Sequence, residues 1–348
     1  MKCIGCGAFL QTTDKNAPGY TPKADAQYCQ RCFRLIHYDD LTVSMKTGID
    51  PDQVMEEVSR MDALVVWVVD LFDFEAGMIP GLSRRLAGRD IILVCTKRDL
   101  LPDTLSHERT AQFVFQRLKE YGISIKELVF VSGKEKAGLQ EVMAAVRKHS
   151  SGKEAAVIGR ANSGKSTLLN ALAGNAVLTA SRYPGTTLGF TRMKIEDVTF
   201  VDTPGIEIGN SMIMHVQEAD LKTILPEATV NPTVFQIHED QSYAAGGLAR
   251  LDVTCRSSAT VTWYVSRRLY LHRTRLSKAD ALWQNQYGKL LVPVADSAKM
   301  RSYTYSRGNE KTDAVIDGLG WACISGDAPV ITVRVPEHVN VTFRKAMM

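Results

Sequence analysis

The sequence predicts an α/β protein built on a doubly wound sheet, with a small cysteine-rich module before the sheet and a β-rich region after it. Three observations predict this organisation. Five short apolar runs between residues 63 and 202 alternate with loops and helical patterns. Four cysteines form two close pairs near the N-terminus, and β-branched residues dominate several runs after residue 231. We place the three parts at residues 1–45, 46–228 and 229–348.

The composition is that of an ordinary soluble globular protein. The chain has 348 residues, of which 45% are hydrophobic and 23% are charged. Its longest strongly apolar run, ALVVWVV at 63–69, is far shorter than the roughly 20 residues of a membrane helix. The N-terminus MKCIGCGAFL has neither the apolar core of a secretory signal nor the arginines of a transit peptide. We therefore expect a cytoplasmic protein that does not bind a membrane.

The first cysteines have the spacing of metal ligands. Cys3 and Cys6 form one C-x2-C pair, and Cys29 and Cys32 form a second pair after 22 intervening residues. Two such turns supply four thiolates, which close a tetrahedral shell around Zn²⁺. Iron in a rubredoxin-like site is the alternative metal. A disulfide or a redox pair does not explain a doubled motif in a reducing compartment.

A glycine-rich loop follows the apolar run near residue 155. Residues 154–174, EAAVIGRANSGKSTLLNALAG, pass from a predicted strand through G-x4-G-K-S into a predicted helix. In this context the loop N–H groups surround the α and β phosphates of a nucleotide, Lys165 reaches the β and γ oxygens, and the Ser166 hydroxyl ligates Mg²⁺. The helix N-terminus adds partial positive charge. The candidate nucleotide-binding residues here are Gly159, Asn162, Ser163, Gly164, Lys165, Ser166 and Thr167.

Two later segments complete a phosphate site. VTFVDTPG at 198–205 is a predicted strand that ends in Asp202, which is placed to contact Mg²⁺ through water. The N–H of Gly205 is placed to sense a γ-phosphate. In SRYPGTTLGF at 181–190, Thr186 or Thr187 can ligate Mg²⁺ only when that phosphate is present.

The segment that reads the base is expected upstream of the phosphate loop. SKAD at 277–280 follows RRLYLHRTRL, which does not resemble a parallel strand, so we reject it. DIILVCTKRD at 90–99 is an apolar run ending in Thr96, Lys97 and Asp99. The Asp99 carboxylate can accept from N1–H and the 2-amino group of guanine, which adenine does not offer. A second run, ELVFVSGK at 127–134, ends in Ser132, Gly133 and Lys134, and the stems of Lys97 and Lys134 can cover the ring.

The elements therefore come in the order base, base, phosphate, switch, switch, whereas an ordinary GTPase has its phosphate and switch elements first. This order predicts a circularly permuted P-loop GTPase that binds GTP or GDP. Permutation preserves a sheet because the termini of compact domains often lie close together. The polar segment HSSGKE at 149–154 is the expected joint.

The doubled CxxC module, the permuted order and the β-rich tail together resemble the YqeH family of ribosome-assembly GTPases. The resemblance covers essentially the whole chain. It implies GTP hydrolysis coupled to biogenesis of the small (30S) ribosomal subunit, with that subunit, its rRNA or a ribosomal protein as partner. By the family pattern PGTT, Thr187 is the Mg²⁺ threonine. Thr96 and Gly133 depart from the usual Asn and Ala, which affects affinity more than the choice of base.

Two residues bear on the rate of hydrolysis. Ile206 stands where a Ras-like enzyme carries the glutamine that orients water, so unassisted turnover should be slow, roughly 10⁻⁴ to 10⁻² per second. Asn162 resembles the asparagine that holds K⁺ beside the phosphates in potassium-activated GTPases. The alternative is that Asn162 only stabilises the turn of the loop. The candidate catalytic residues are thus Lys165, Thr187, Gly205 and Asn162.

The last third is predicted to be strand-rich and basic. The runs that predict strands are TVFQIH, ATVTWYVS, KLLVPV, PVITVRVP and VNVTFRK. Residues 231–348 carry 15 Lys and Arg against 10 Asp and Glu, a net charge of +5, whereas residues 1–230 have a net charge of −1. YVSRRLYLHRTR at 264–275 interleaves arginines with Tyr264, Tyr270 and His272, which suits RNA phosphates and bases. A solvated strand face is the alternative.

Two rival functions stay open. One is a non-ribosomal or adenine-specific P-loop NTPase, for which ATP would compete with GTP. The other is a structural RNA-binding factor with a vestigial nucleotide site, which would bind RNA and hydrolyse nothing.

Overall fold

A computed structural model describes residues 9–14, 19–23, 25–27, 50–79, 81–132, 137–174, 180–182, 189–206 and 209–348. The predicted zinc ligands lie outside these ranges, as do Gly133, Lys134, Thr186 and Thr187, so their roles stay predictions. No helix in the described part of the chain is long and apolar enough to cross a membrane.

The α/β domain contains a seven-stranded sheet in the order β3-β2-β1-β4-β7-β6-β5. The first five strands of that order run parallel, and β6 and β5 are antiparallel. All five apolar runs predicted as strands are confirmed as β1, β2, β3, β4 and β7. The strands are β1 Ala63–Asp70, β2 Ile91–Thr96, β3 Glu127–Phe130, β4 Glu154–Ile158, β5 Ala180–Arg182, β6 Thr191–Ile195 and β7 Val198–Asp202.

Helices cover both faces of this sheet. Alternate side chains of β1 enter two different apolar clusters, as expected for a parallel strand that is buried on both sides. Side-chain caps set where two helices begin, because the carboxylate of Asp50 accepts from the Asp52 N–H and the hydroxyl of Ser106 accepts from the Arg109 N–H. The helices are α1 Pro51–Arg60, α2 Leu82–Arg85, α3 His107–Glu120, α4 Leu139–Ser150, α5 Lys165–Ala173, α6 Leu221–Ile224 and α7 Ala279–Gln286.

The path of the chain shows the circular permutation. It runs from β1 outward to β2 and β3, and then returns to place β4 on the opposite side of β1. The strands that carry the base motifs therefore precede the phosphate-loop strand in the same sheet. The joint between α4 and β4 is a tight turn in which Ser151 and Gly152 both have positive φ. Ligands of doubly wound sheets bind where the strand order reverses, which here lies between the ends of β1 and β4.

The C-terminal part forms a sandwich of two antiparallel five-stranded sheets. Their orders are β17-β14-β15-β11-β8 and β12-β9-β10-β16-β13. The central strands of the first sheet are buried on both faces, because Trp263 and Ile316 pack toward the second sheet while Tyr264 and Trp321 pack on the core of the α/β domain. The strands are β8 Thr233–Ile237, β9 Gln241–Ala245, β10 Ala249–Val253, β11 Ala259–Val265, β12 Leu271–Arg275, β13 Met300–Ser306, β14 Thr312–Ile316, β15 Gly320–Gly326, β16 Val330–Pro336 and β17 Val341–Lys345.

One predicted strand is wrong. KLLVPV forms only isolated bridges, from Leu291 to Tyr287 and from Val294 to Gly247. Pro293 has no N–H to donate to a ladder, and the segment passes over Gly247, where a Cβ would lie 2.8 Å from the Leu291 carbonyl oxygen. The other four predicted strands of the tail are confirmed as β8, β11, β16 and β17.

A buried ionic network joins the sandwich to the α/β domain. Arg117 of α3 donates from Nε and Nη2 to the two carboxylate oxygens of Glu75, both at 2.8 Å. Arg344 of β17 donates to Glu75 at 3.0 Å and to Asp313 of β14 at 3.3 Å. Its guanidinium lies 4.6 Å from the ring centroid of Phe113. Burial disfavours the Glu75 charge, but the two arginines outweigh it and lower the pKa of Glu75.

We predict that Arg344→Ala lowers the free energy of unfolding by about 3 to 5 kcal/mol, because the Asp313 carboxylate is left buried without its cation. Urea denaturation measures the change. The matched control is Lys345→Ala on the same strand, whose exposed side chain should contribute no more than about 0.5 kcal/mol. Equal midpoints for the two variants would contradict the role of the network.

Candidate nucleotide-binding site

The phosphate loop packs against the ends of β1 and β2. A Cβ on Gly159 would lie 2.3 Å from the Val68 carbonyl oxygen of β1 and 2.9 Å from the Ser163 hydroxyl. Gly164 has a φ of +91°, and a Cβ there would meet the side chain of Thr96 at 3.3 Å. Glycine is therefore required at both ends of the loop. At position 159 the reason is the close approach of another backbone, and at position 164 it is the positive φ together with the nearby Thr96 side chain.

Lys165 and Asp202 are two charged side chains of the site that influence each other's pKa. The Lys165 ammonium donates to the carbonyl oxygens of Gly159 at 2.8 Å and Arg160 at 3.1 Å. Burial lowers the pKa of Lys165 to about 8, against the opposing effect of the Asp202 charge. Burial likewise raises the pKa of Asp202 to about 6, and the Lys165 charge opposes that shift.

Two buried oxygens at this position have no hydrogen-bond partner among the described residues. They are Oδ1 of Asp202 and the hydroxyl of Ser163. Buried polar atoms of this kind normally have partners in a working site. Ser166 and Thr167 stand exposed in the first turn of α5 beside them. This set of donors and acceptors fits a nucleotide with its Mg²⁺.

The base motif and the phosphate loop contact each other directly. The Thr96 hydroxyl, at the end of β2, donates to the Ser163 carbonyl oxygen at 2.6 Å. Lys97 has a left-handed backbone with φ 57°, and its ammonium pairs with Asp70 at 2.7 Å. The Asp99 carboxylate accepts from the Ser132 hydroxyl at 2.9 Å. The structure thus brings the two upstream motifs and the phosphate loop to one edge of the sheet.

The turn after β7 packs on the phosphate loop. Ile206 donates its N–H to the Gly159 carbonyl oxygen at 3.1 Å, and Ala161 donates to the Ile206 carbonyl oxygen at 3.0 Å. A Cβ on Gly205 would lie 2.9 Å from Cα of Ala161, so glycine is needed there as well. The Ile206 side chain is apolar and fully buried, so it has no means of orienting an attacking water.

Asn162 adopts a left-handed backbone with φ 64°. Asparagine tolerates this conformation better than most residues, because its short side chain can hydrogen-bond locally. The geometry alone therefore accounts for an asparagine at this position, and both explanations offered by the sequence remain open.

Sequence reasoning missed a link from the phosphate loop to the sandwich. Arg160 of the loop pairs with Asp73 at 3.3 Å, and the other oxygen of Asp73 accepts the Gly318 N–H at 3.0 Å. Met212, in the segment after the TPG turn, donates to the Asp317 carbonyl oxygen at 2.8 Å. Burial, and then the nearby Asp73 charge, raise the pKa of Asp317. Asp70 and Asp73 lie at the end of a parallel strand and just after it, and this position could have indicated from the sequence that they belong to the site. The sequence around residue 317 has no comparable pattern.

Residues 264–275 were predicted to bind RNA, but only some of their side chains are exposed and unpaired. The prediction is wrong for Tyr264, which is buried and stacks on Trp321 at 4.9 Å. Tyr270 is 59% exposed. Three of the four arginines already have partners in the fold: Arg268 pairs with Glu227, Arg273 with Gln241 and Arg275 with Glu239.

The permuted sheet, the phosphate loop and the adjoining base motif define a circularly permuted P-loop GTPase. Residues 154–245 match the family model described as 50S ribosome-binding GTPase, and residues 257–347 match the model described as YqeH-like, C-terminal. The chain is 34% identical to the uncharacterized protein YqeH of Bacillus subtilis, across 99% of both chains. The chain therefore belongs to the YqeH family and is a GTPase.

More distant similarities extend to plants. The chain is 25% identical to a putative nitric oxide synthase of Oryza sativa subsp. japonica, over 92% of this chain and 69% of that one. A GNP-bound structure of YlqF from T. maritima is 22% identical, with a TM-score of 0.33 over 50% of this chain and 66% of that chain.

We predict that Thr96→Val weakens GTP binding about tenfold. The isosteric change removes the hydroxyl that ties β2 to the phosphate loop and leaves the Ser163 carbonyl without that donor, a loss of about 1 to 2 kcal/mol. Titration with a fluorescent GTP analogue measures the effect. Thr199→Val, at a half-buried threonine of β7 in the same sheet, is the control and should bind as the wild type does. Equal affinities for the two variants would contradict the role of this hydrogen bond.

Proposed function

We propose that this GTPase is a switch protein acting in biogenesis of the small ribosomal subunit. The observation that carries the proposal is the contact between the guanine-type motif and the phosphate loop, made by Thr96 and Ser163. Membership of the YqeH family supports the ribosomal context. The description of the matched GTPase model names the 50S subunit, so the choice of the 30S subunit rests on the family resemblance of the sequence.

In this proposal Asp99 reads guanine, and Lys97 and Lys134 flank the ring. The loop amides and Lys165 hold the phosphates, and Gly205 senses the γ-phosphate. Ser166, Thr187 and Asp202 would hold Mg²⁺, which when bound neutralises charge on the phosphate oxygens. In the described part, the unpaired Asp202 oxygen and the exposed Ser166 hydroxyl support this arrangement.

We predict that Asp99→Asn lowers GTP affinity about 100-fold and creates affinity for XTP. An asparagine can still accept from the Ser132 hydroxyl, but it offers an N–H to a purine that carries an oxygen at position 2. Competition against a fluorescent GTP analogue compares GTP, XTP and ATP. Asp103→Asn, at an exposed carboxylate nearby, is the control. Effective competition by ATP with the wild type would instead support an adenine-specific enzyme.

We predict that hydrolysis is at least about tenfold faster in KCl than in NaCl, and that Asn162→Gly abolishes the difference. Glycine keeps the left-handed turn available, so this variant removes the side-chain oxygen without straining the loop. GTP affinity should be unchanged. Equal wild-type rates in the two salts would remove the potassium hypothesis, and a variant still stimulated by K⁺ would assign Asn162 to the turn alone.

The ribosomal role is tested by co-sedimentation with purified 30S and 50S subunits in the presence of GDP or a non-hydrolysable GTP analogue. We expect association with the 30S subunit that depends on the nucleotide. Association with the 50S subunit alone would overturn the choice of subunit. Binding to neither subunit would favour a non-ribosomal NTPase, and nucleotide-independent binding without hydrolysis would favour a structural RNA-binding factor.

A further inference from the structure

A crevice of about 360 Å³ lies where α3 of the GTPase domain meets one edge of the sandwich. Arg117 and Glu120 line it from α3, and residues of β17 and of the connection from β13 to β14 line it from the sandwich. The volume falls in the range of small-ligand pockets. A Cβ on Gly308, in the wall, would meet nothing within 4 Å, so the crevice is open at that point.

One wall presents a stacked aromatic pair. Tyr305 at the end of β13 lies against Phe343 of β17, with ring centroids 4.9 Å apart and an angle of 14° between the planes. Tyr305 keeps 39% of its surface exposed, whereas Tyr243, Trp263, Tyr264 and Trp321 of the sandwich are buried. A partly exposed ring of this kind is a platform on which a planar group can extend the stack, and every nucleic-acid base has such a face.

The same crevice carries cations that the fold does not neutralise. Lys311 and Lys345 are exposed and form no ion pair with any described residue. Deeper in the wall, Arg117 and Arg344 are only 7% and 5% exposed and are held by Glu75 and Asp313. The lining contains two acidic residues, Glu120 and Glu310. Glu120 is paired with Arg117, whereas Glu310 forms no ion pair with a described residue.

We propose that this crevice binds one nucleotide of a single-stranded RNA, with its base on Tyr305 and its flanking phosphates at Lys311 and Lys345. The inference rests on the proposed function at the small ribosomal subunit, in which the protein contacts rRNA. It assigns that contact to the edge formed by β13 and β17, whereas residues 267–275 lie at the opposite edge, formed by β8 and β12.

The test uses the full chain and a fluorescein-labelled 12-nucleotide oligouridylate, with anisotropy titrations at several salt concentrations. The double variant Lys311→Ala and Lys345→Ala should reduce the slope of log affinity against log salt by about 1.4, since each phosphate contact on a single strand contributes about 0.7. Tyr305→Leu should weaken binding about tenfold with an unchanged slope, because it removes stacking but no charge. The matched control removes two exposed lysines elsewhere in the sandwich, Lys278→Ala with Lys289→Ala, and should leave the slope unchanged.

Unchanged affinity for GTP serves as the check that each variant is folded. Wild-type affinity for the oligonucleotide in both crevice variants would overturn the crevice while leaving the proposed RNA contact intact. Weaker oligonucleotide binding by the lysine variant with unchanged binding by Tyr305→Leu would also contradict the proposal, because the crevice would then bind phosphates without stacking on a base. No binding of the oligonucleotide by the wild type would remove both this inference and the RNA contact on which it rests.

Discussion

The hydrogen bond from the Thr96 hydroxyl to the Ser163 carbonyl is the contact on which the nucleotide site depends. It can form only because the phosphate loop passes within contact distance of both β1 and β2, and that approach in turn requires glycine at 159 and 164. The segment proposed to read the base and the phosphate loop, whose contacting residues are 67 positions apart in the chain, are thus held together. In the proposed function, one purine nucleotide must span both segments.

The circular permutation determines which parts of the sandwich the nucleotide-binding site contacts. Because the chain leaves β7 and passes directly toward the sandwich, the segment after the TPG turn makes main-chain contacts with it, from Met212 to Asp317 and from Asn340 to Asn210. The phosphate loop reaches the same hairpin turn through Arg160, Asp73 and the Gly318 N–H. The phosphate loop and the segment after β7 therefore contact the same turn between β14 and β15.

The sequence was sufficient to predict the five parallel strands of the sheet, the permutation and the position of the phosphate loop, because each rests on motifs at strand ends. The antiparallel strands β5 and β6 were not predicted. Lys165 and Asp99 follow apolar runs, and a parallel strand ending in a polar motif is a strong signal. The sandwich was harder. KLLVPV has the composition of a strand but wraps over Gly247, and β9 and β10 contain residues such as Ser242 and Asp252 whose burial depends on the pairing of distant strands. The partners of Arg344 were not predictable, because Glu75 lies 269 positions away.

The sandwich is attached to the GTPase domain by apolar packing, by a buried ionic network and by main-chain hydrogen bonds. The apolar packing includes Tyr264 and Trp321, which lie in the same cluster as Phe72 and Phe113. On the side of α3, Arg344 and Arg117 converge on Glu75 in a buried network, where removing one partner of such a pair costs about 3 to 5 kcal/mol. In the segment after β7, the Met212 and Asn340 bonds are main-chain hydrogen bonds, each with a net contribution of about 1 kcal/mol, and the Met212 side chain is buried in the sandwich core. The ionic network is therefore the costlier of these polar contacts to break, because its charges would be left buried without partners, whereas the main-chain bonds join uncharged groups.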